Sequence, residues 1–115
     1  MELGRWVADA FIVFFGSRYE IGDADEADAL DDRNDPRLAA AKQGALDTYI
    51  GRLTDGEPYF LLIGRRIGVF GIEGETLKDY SEDELTQIAS QTRVLMASLG
   101  LQGPFRFWFQ LEAQY

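Results

Sequence analysis

Apolar residues recur at helical spacing in two segments of the chain. One segment follows Asp35-Pro36, a pair that suits the N-cap and the first position of a helix. The other follows a capping box that begins at Ser81, and it stops before Gly100, a residue suited to a left-handed cap. The pattern therefore predicts helices over 36–54 and 82–99.

Three further segments have the pattern of β-strands. Apolar runs at 58–63 and 67–72 flank Gly64, which suits a primed turn, and they predict a hairpin. Residues 105–112 alternate between apolar and polar side chains, which predicts a C-terminal strand. The face of this strand that we expect to be buried carries Phe105, Phe107, Phe109 and Leu111.

The N-terminal segment over 6–15 fits either a strand or a helix by its spacing. A helix would be apolar on all sides, whereas a central strand buried on both faces needs such a run, so we predict a strand. The order strand, helix, strand, strand, helix, strand resembles the ferredoxin-like βαββαβ fold. That fold is an α+β arrangement with a four-stranded antiparallel sheet and two helices on one face. A helical N-terminus would leave a three-stranded α+β fold.

Composition removes several kinds of chemistry. The chain has 115 residues, enough for a single domain over 1–115, and 46% of them are hydrophobic. It contains neither cysteine nor histidine, which excludes Ser-His and Cys-His nucleophiles and thiolate zinc sites. We predict no metal and no cofactor. The apolar run at 10–15 is too short to span a membrane and no secretion signal is evident, so we expect a cytoplasmic protein.

Negative charge is concentrated in one stretch that follows the first predicted strand. The segment 20–35 has eight acidic residues and one arginine, and it carries −7 of the total net charge of −9. We expect 17–35 to be a long acidic connection between the first strand and the first helix. Within it, Ala24, Ala27 and Leu30 are spaced for a short amphipathic helix. The acidic residues, our candidates for partner binding, are Glu20, Asp23, Asp25, Glu26, Asp28, Asp31, Asp32 and Asp35.

Charge runs are commonly solvated surface, and three functional interpretations compete with that one. A calcium loop counted from Asp23 fails, because an EF-hand needs glycine at Asp28 and glutamate at Asn34. Acid/base catalysis needs an apolar pocket that raises a carboxyl pKa, and an exposed acidic string provides the opposite environment. A dense carboxylate field instead fits a basic groove on a partner, with the carboxylates imitating phosphates.

The sheet face opposite the helices offers a second surface. Trp108 and Arg106 lie on that side of the C-terminal strand, and the N-terminal strand is apolar on both sides. We expect an apolar cover for this face, such as a homodimer packed sheet to sheet. The net charge repels phosphate, so we predict no direct nucleic-acid binding.

Two function classes follow from these patterns. The first is a non-enzymatic binding or inhibitor protein that occludes a basic surface of a nuclease, a defence complex or a toxin. In composition alone, the chain is similar to small acidic inhibitors such as phage-encoded anti-CRISPR proteins. The second is a ferredoxin-like dimer that binds or transforms an apolar small molecule in a sheet-lined cavity, with Asp9 among its polar groups. The absence of histidine disfavours an enzyme.

Overall fold

The structure is a computed structural model that describes residues 10–29, 35–51, 58–71, 75 and 77–112. Within this part of the chain, four strands form one antiparallel sheet and three helices pack against it, so the predicted α+β class is confirmed. The strands are β1 (Ala10–Gly22), β2 (Asp47–Gly51), β3 (Tyr59–Gly71) and β4 (Arg106–Glu112). The helices are α1 (Ala24–Asp28), α2 (Pro36–Gln43) and α3 (Glu82–Ser98).

Strand β1 lies inside the sheet, whose strand order is β2-β3-β1-β4. It pairs antiparallel with β3 along nearly its whole length and with β4 along its first half. The strand predicted over 6–15 is confirmed for residues 10–15, and the helical alternative is wrong there; residues 6–9 lie outside the described residues. The strand also continues to Gly22, because Ser17 and Ile21 extend its buried face. The first residues of the expected acidic connection over 17–35 therefore belong to the sheet.

The predicted hairpin around Gly64 is wrong, because β3 runs through both of its predicted arms without a turn. Gly64 lies opposite Gly16 of β1 in the middle of the sheet. A Cβ atom added to Gly64 would lie 2.7 Å from the Cα of Gly16, and one added to Gly16 would lie 2.8 Å from the Cα of Gly64. The two glycines thus allow a close approach of the central strands. The strand bends instead at a β-bulge around Ile67.

The helix predicted over 36–54 is confirmed for its first eight residues and wrong over 44–51, and residues 52–54 lie outside the described residues. Gly44 is the C-cap, and Ala45 adopts a left-handed backbone conformation with φ of 53°. The N–H of Leu46 then donates to the carbonyl oxygen of Ala41 at 2.8 Å, which completes a Schellman motif. Strand β2 follows at once, since its Thr-Tyr-Ile core favours extended backbone.

Helix α3 confirms the second predicted helix to within one residue at its C-terminal end. The hydroxyl of Ser81 accepts a hydrogen bond from the N–H of Glu84 at 3.1 Å, and the N–H of Ser81 donates to the Glu84 carboxylate at 3.0 Å. At the other end, Gly100 is left-handed and the N–H of Leu101 donates to the carbonyl oxygen of Met96 at 2.9 Å. Both predicted caps are therefore present.

The three helices share one face of the sheet. Met96 of α3, Ala27 of α1 and Ala41 of α2 pack in one core cluster with Leu61 and Ile63 of β3. These side chains are nearly or fully buried, so the cluster joins the C-terminal half of α3 to both short helices. A second cluster, under the N-terminal half of α3, contains Phe15, Ile67 and Ala89.

The opposite face of the sheet, here called the outer face, has a cluster of its own. Phe14 of β1 is 1% exposed and Phe60 of β3 is 2% exposed. The cluster also contains Ile12 and Leu62, with Tyr49, Val69 and Trp108 packed against it. The apolar side chains that motivated the expected sheet-to-sheet dimer are therefore already shielded from water within one chain.

On β4, the face that was predicted to be buried is the more exposed one. Phe109 is 65% exposed and Leu111 is 62% exposed, because α3 packs over β1 and β3. Trp108, on the outer face, is half-buried, and its indole Nε1 donates to the carbonyl oxygen of Gly16 at 2.9 Å. The predicted strand and its alternation are confirmed. The assignment of its buried face is wrong for Phe107, Phe109 and Leu111, whereas Phe105 packs against the core.

Candidate functional site

The segment from Glu20 to Asp28, here called the acidic turn, comprises the end of β1 and all of α1. Gly22 has a φ of 118°, a conformation that favours glycine, and the chain leaves the sheet there. The side chain of Asp23 then caps α1 by accepting a hydrogen bond from the N–H of Glu26 at 3.0 Å. The local backbone of the turn is therefore held by its own acidic sequence.

Ala27 attaches the acidic turn to the body of the protein. It is 8% exposed and belongs to the core cluster that contains Ile21 and Met96. Asp25 and Glu26, on the same short helix, are exposed. The turn thus presents carboxylates to solvent from a backbone that is anchored in the core. The short helix expected within the acidic block is confirmed over Ala24–Asp28, and Leu30 lies outside the described residues.

Glu20 is the first residue of the acidic turn and lies beside side chains of the outer face. Its side chain is 71% exposed, and its carboxylate lies 3.6 Å from the guanidinium of Arg18. The same guanidinium lies 4.7 Å from the ring centroid of Phe60. An exposed ion pair of this kind contributes little to stability, so the Glu20 carboxylate remains accessible to a partner.

Asp35 is engaged inside its own helix. Its carboxylate accepts hydrogen bonds from the backbone N–H of Arg37 at 2.8 Å and from the guanidinium of Arg37 at 3.0 and 2.9 Å. The hydrogen bond from the guanidinium is the main cause that holds the pKa of Asp35 below its ordinary value. The side chain is 13% exposed, which sets Asp35 apart from Glu20, Asp23, Asp25 and Glu26, which are exposed.

The remaining acidic candidates divide between the described and the undescribed chain. Asp28 is the last residue of α1. Asp31 and Asp32 lie outside the described residues. The structure therefore brings Glu20, Asp23, Asp25 and Glu26 together on one turn, with Asp35 at the start of the next helix.

A second acidic group lies at the start of α3, where the sequence pattern predicts a capping box and no binding site. Glu82 and Asp83 are exposed there, and Asp79 precedes them. The N-terminal half of α3 packs on Phe15, whereas the C-terminal half packs beside Ala27 and the acidic turn. The two acidic groups are thus at opposite ends of the helix layer and present separate surfaces.

An apolar strip, here called the edge patch, lies along β4 and the start of β1 on the helix side of the sheet. The rings of Phe11 and Phe109 stack with centroids 6.1 Å apart, and those of Phe15 and Phe107 are 4.8 Å apart. The exposed members that define the patch are Phe11, Phe107, Phe109 and Leu111. Sequence reasoning found these residues and assigned them to the core. The predicted contact residue Arg106 is exposed on the outer side of the same strand.

A groove of about 440 Å³ lies between β3 and α3. The guanidinium of Arg65 donates to the carbonyl oxygen of Ala45 at 3.0 Å. The hydroxyl of Tyr80 donates to the carbonyl oxygen of Ile67 at 3.1 Å. The groove is lined by Arg65, Arg66, Ile67, Tyr80, Ile88, Gln91, Thr92 and Leu95. Two of the polar side chains that line the groove, those of Arg65 and Tyr80, are thus committed to the fold. Asp9, the predicted polar group of a ligand cavity, lies outside the described residues.

Among the described residues, two carboxyl groups have shifted pKa values, and both lie at helix N-termini. Asp35 is one, and at Glu84 the hydrogen bond from the backbone N–H of Ser81 lowers the pKa. A general acid at neutral pH needs the opposite shift. Both carboxyl groups therefore act as capping groups for their helices.

Within the described ranges, no cluster of three or more acidic side chains is arranged to hold a metal ion. In the same part of the chain, no helix has the length and apolar character needed to cross a membrane. Comparison of the chain with protein-family models, with curated proteins and with solved structures finds no match.

Proposed function

We propose that the protein is a small, acidic, non-enzymatic binding protein that occludes a basic surface of a partner macromolecule. The observation that carries the proposal is the acidic turn. Its exposed carboxylates are those of Glu20, near the end of β1, and of Asp25 and Glu26, on a capped helix whose Ala27 is buried in the core. A basic groove on a nuclease, on a defence complex of the anti-CRISPR target type or on a toxin has the complementary charge.

Preorganisation supports this proposal over a solubilising role. Charged residues on an unstructured loop lose conformational freedom when they bind, whereas residues on an anchored helix lose less. The cap at Asp23 and the burial of Ala27 have already ordered the backbone that carries Asp25 and Glu26. The negative field of the turn also accelerates encounter with a positive surface, and mobile salt weakens that effect.

The alternative, a small-molecule protein with a sheet-lined cavity, has less support. The groove between β3 and α3 is large enough for a ligand. Its lining, however, includes Arg65, Arg66 and Tyr80, which do not suit an apolar molecule. The apolar outer face is filled by its own side chains, with Phe14 and Phe60 almost fully buried.

We also propose that the fold is a ferredoxin-like variant in which the first connection carries two helices, α1 and α2. What supports this is the antiparallel order β2-β3-β1-β4 together with the chain order of strands and longer helices. An NMR structure with cross-strand contacts throughout the sheet would test it. A different connection between β2 and β3 would contradict it.

The function is tested with two matched variants of the purified protein. The first removes three charges from the acidic turn through Glu20→Gln, Asp25→Asn and Glu26→Gln. The second removes three charges from the start of α3 through Asp79→Asn, Glu82→Gln and Asp83→Asn, and it leaves the capping box intact. Both lose the same net charge, so a difference between them reports position.

The partner is identified by affinity capture with the wild-type chain from cells of the source and from virus-infected cells, and its Kd is then measured with purified components. We expect the turn variant to raise the Kd about tenfold or more and the α3 variant to change it far less. Added salt should weaken wild-type binding steeply. An equal rise of the Kd in both variants would refute the proposal. A Kd that changes neither with charge removal nor with added salt would also refute it.

A further inference from the structure

Strand β4 is an edge of the described sheet, since the order β2-β3-β1-β4 places β1 on one side of it. Edge strands of soluble proteins are commonly protected by charged or proline residues. The middle of β4, Phe107 to Leu111, carries neither, and Phe107, Phe109 and Leu111 are exposed on its helix side. An edge with this composition is suited to pairing with another strand.

The sequence of β4 is complementary to itself in an antiparallel pair. If Phe109 pairs with Phe109 of a second copy, position 106 faces position 112 of that copy, which sets arginine opposite glutamate twice. Position 107 then faces position 111, a phenylalanine against a leucine. Such an arrangement has the two-fold symmetry of most homodimers, and it satisfies apolar and charged positions together.

We propose that β4 pairs antiparallel with β4 of a second copy of this chain, about a two-fold axis at Phe109, to form a continuous eight-stranded sheet. This interface is independent of the acidic turn, which lies at the other end of β1.

The exposed area is consistent with such an interface. Phe109, Phe107 and Phe11 are 65%, 41% and 40% exposed. With about 200 Å² for a phenylalanine side chain, these three rings expose roughly 300 Å² per copy. Leu111, 62% exposed, adds to this area. The edge patch can therefore supply up to about half of the roughly 800 Å² per partner that a stable interface buries, and the paired backbones add to it.

The test uses sedimentation equilibrium of the full chain over a range of concentrations. We expect wild-type protein to reach twice its mass of 13.0 kDa. Arg106→Glu and Glu112→Arg, each alone, set like charges opposite one another at two places in the dimer and should raise its Kd about tenfold. Mixing the two variants pairs opposite charges again, and the mixture should associate as wild type does.

Two controls separate this outcome from misfolding and from a general effect of charge. Lys42→Glu makes the same charge change as Arg106→Glu at an exposed position on α2, and it should leave the Kd unchanged. Phe109→Lys sets two lysines together at the two-fold axis and should abolish the dimer, while its circular dichroism stays that of the folded chain.

A wild-type chain that stays monomeric at every concentration would overturn the proposal. A dimer that survives Phe109→Lys and both charge variants would also overturn it, because such a dimer would use another surface. Failure here leaves the proposed function standing, since the acidic turn is tested with separate variants.

Discussion

Gly64→Ala is the sharpest test of the close approach between β1 and β3, because a crowded backbone contact and an open strand position predict effects of opposite sign. In the structure, the new Cβ would lie 2.7 Å from the Cα of Gly16 on the neighbouring strand. Carbon atoms in contact prefer about 3.5–4.0 Å, and the same Cβ would overlap the carbonyl oxygen of Phe15, so the central strands must separate by about 1 Å or more. Overpacking of this kind costs about 1–3 kcal/mol of the free energy of unfolding. At an unstrained, open position, the same change would instead add about 0.4–1 kcal/mol, because alanine restricts the unfolded chain.

The free energy of unfolding is measured by urea titration, followed by tryptophan fluorescence and circular dichroism. The matched control is Gly68→Ala on the same strand. There the new Cβ would lie 2.7 Å from a ring carbon of Phe70, a half-buried side chain that can rotate away, so the loss should be smaller. A Gly64→Ala variant that is as stable as wild type, or more stable, would refute the close approach of β1 and β3. A loss at Gly68 equal to that at Gly64 would show that the effect is not specific to backbone contact.

Two further predictions concern the helices. Met96→Ala should lower the free energy of unfolding by about 2–5 kcal/mol in denaturant titrations, because Met96 is fully buried. Leu95→Ala should lower it less, because Leu95 is half-buried. Equal losses would contradict the orientation of α3. Asp35→Ala should lose about 1 kcal/mol at neutral pH, since it removes an N-cap and the ion pair with Arg37. The folded-state pKa of Asp35 lies below its ordinary value of 3.8, so its contribution is complete above that value and disappears as the pH falls through the folded-state pKa. A difference between wild type and Asp35→Ala that is as large in strong acid as at neutral pH would contradict this assignment.

The elements predicted correctly are those whose signals are local and complete. Helix α3 has a capping box at Ser81 and Glu84 and a left-handed glycine at its end, and its apolar spacing agrees with both. Helix α2 has an equally clear start, but its end depends on Ala45 in a left-handed conformation, where the sequence has glycine one position earlier. Gly44 was the available signal for the end of this helix, but the apolar spacing beyond Gly44 favoured a longer helix.

Long-range packing explains the other errors. Gly64 has the character of a turn residue, and its role in the middle of a strand depends on Gly16, which a local pattern does not connect to it. On β4, alternation identifies two faces, but which face is covered depends on where α3 packs. Phe109 was therefore expected to be buried and is exposed, whereas Trp108 was expected on the uncovered face and is half-buried.

The candidate surfaces were predicted to different degrees. Charge density alone identified the acidic block, since like charges that close together cannot be buried. Composition did not distinguish Asp25, which is exposed, from Asp35, whose carboxylate is bound by Arg37. That distinction depends on the side chain two residues after Asp35, and the N-cap pattern at Asp35-Pro36 was the available signal.

The position of β1 has a consequence for the order of folding. Its first half is flanked by β3 and by β4, and the hydrogen bond from Trp108 to Gly16 joins residues 92 positions apart. Since β4 follows every other described element, one side of β1 stays open on the ribosome until the last part of the sheet has been synthesised. Closure of that long loop carries an entropic cost and slows folding relative to a sheet of local hairpins. The apolar run of β1 is thus open to aggregation in the nascent chain until β4 pairs with it.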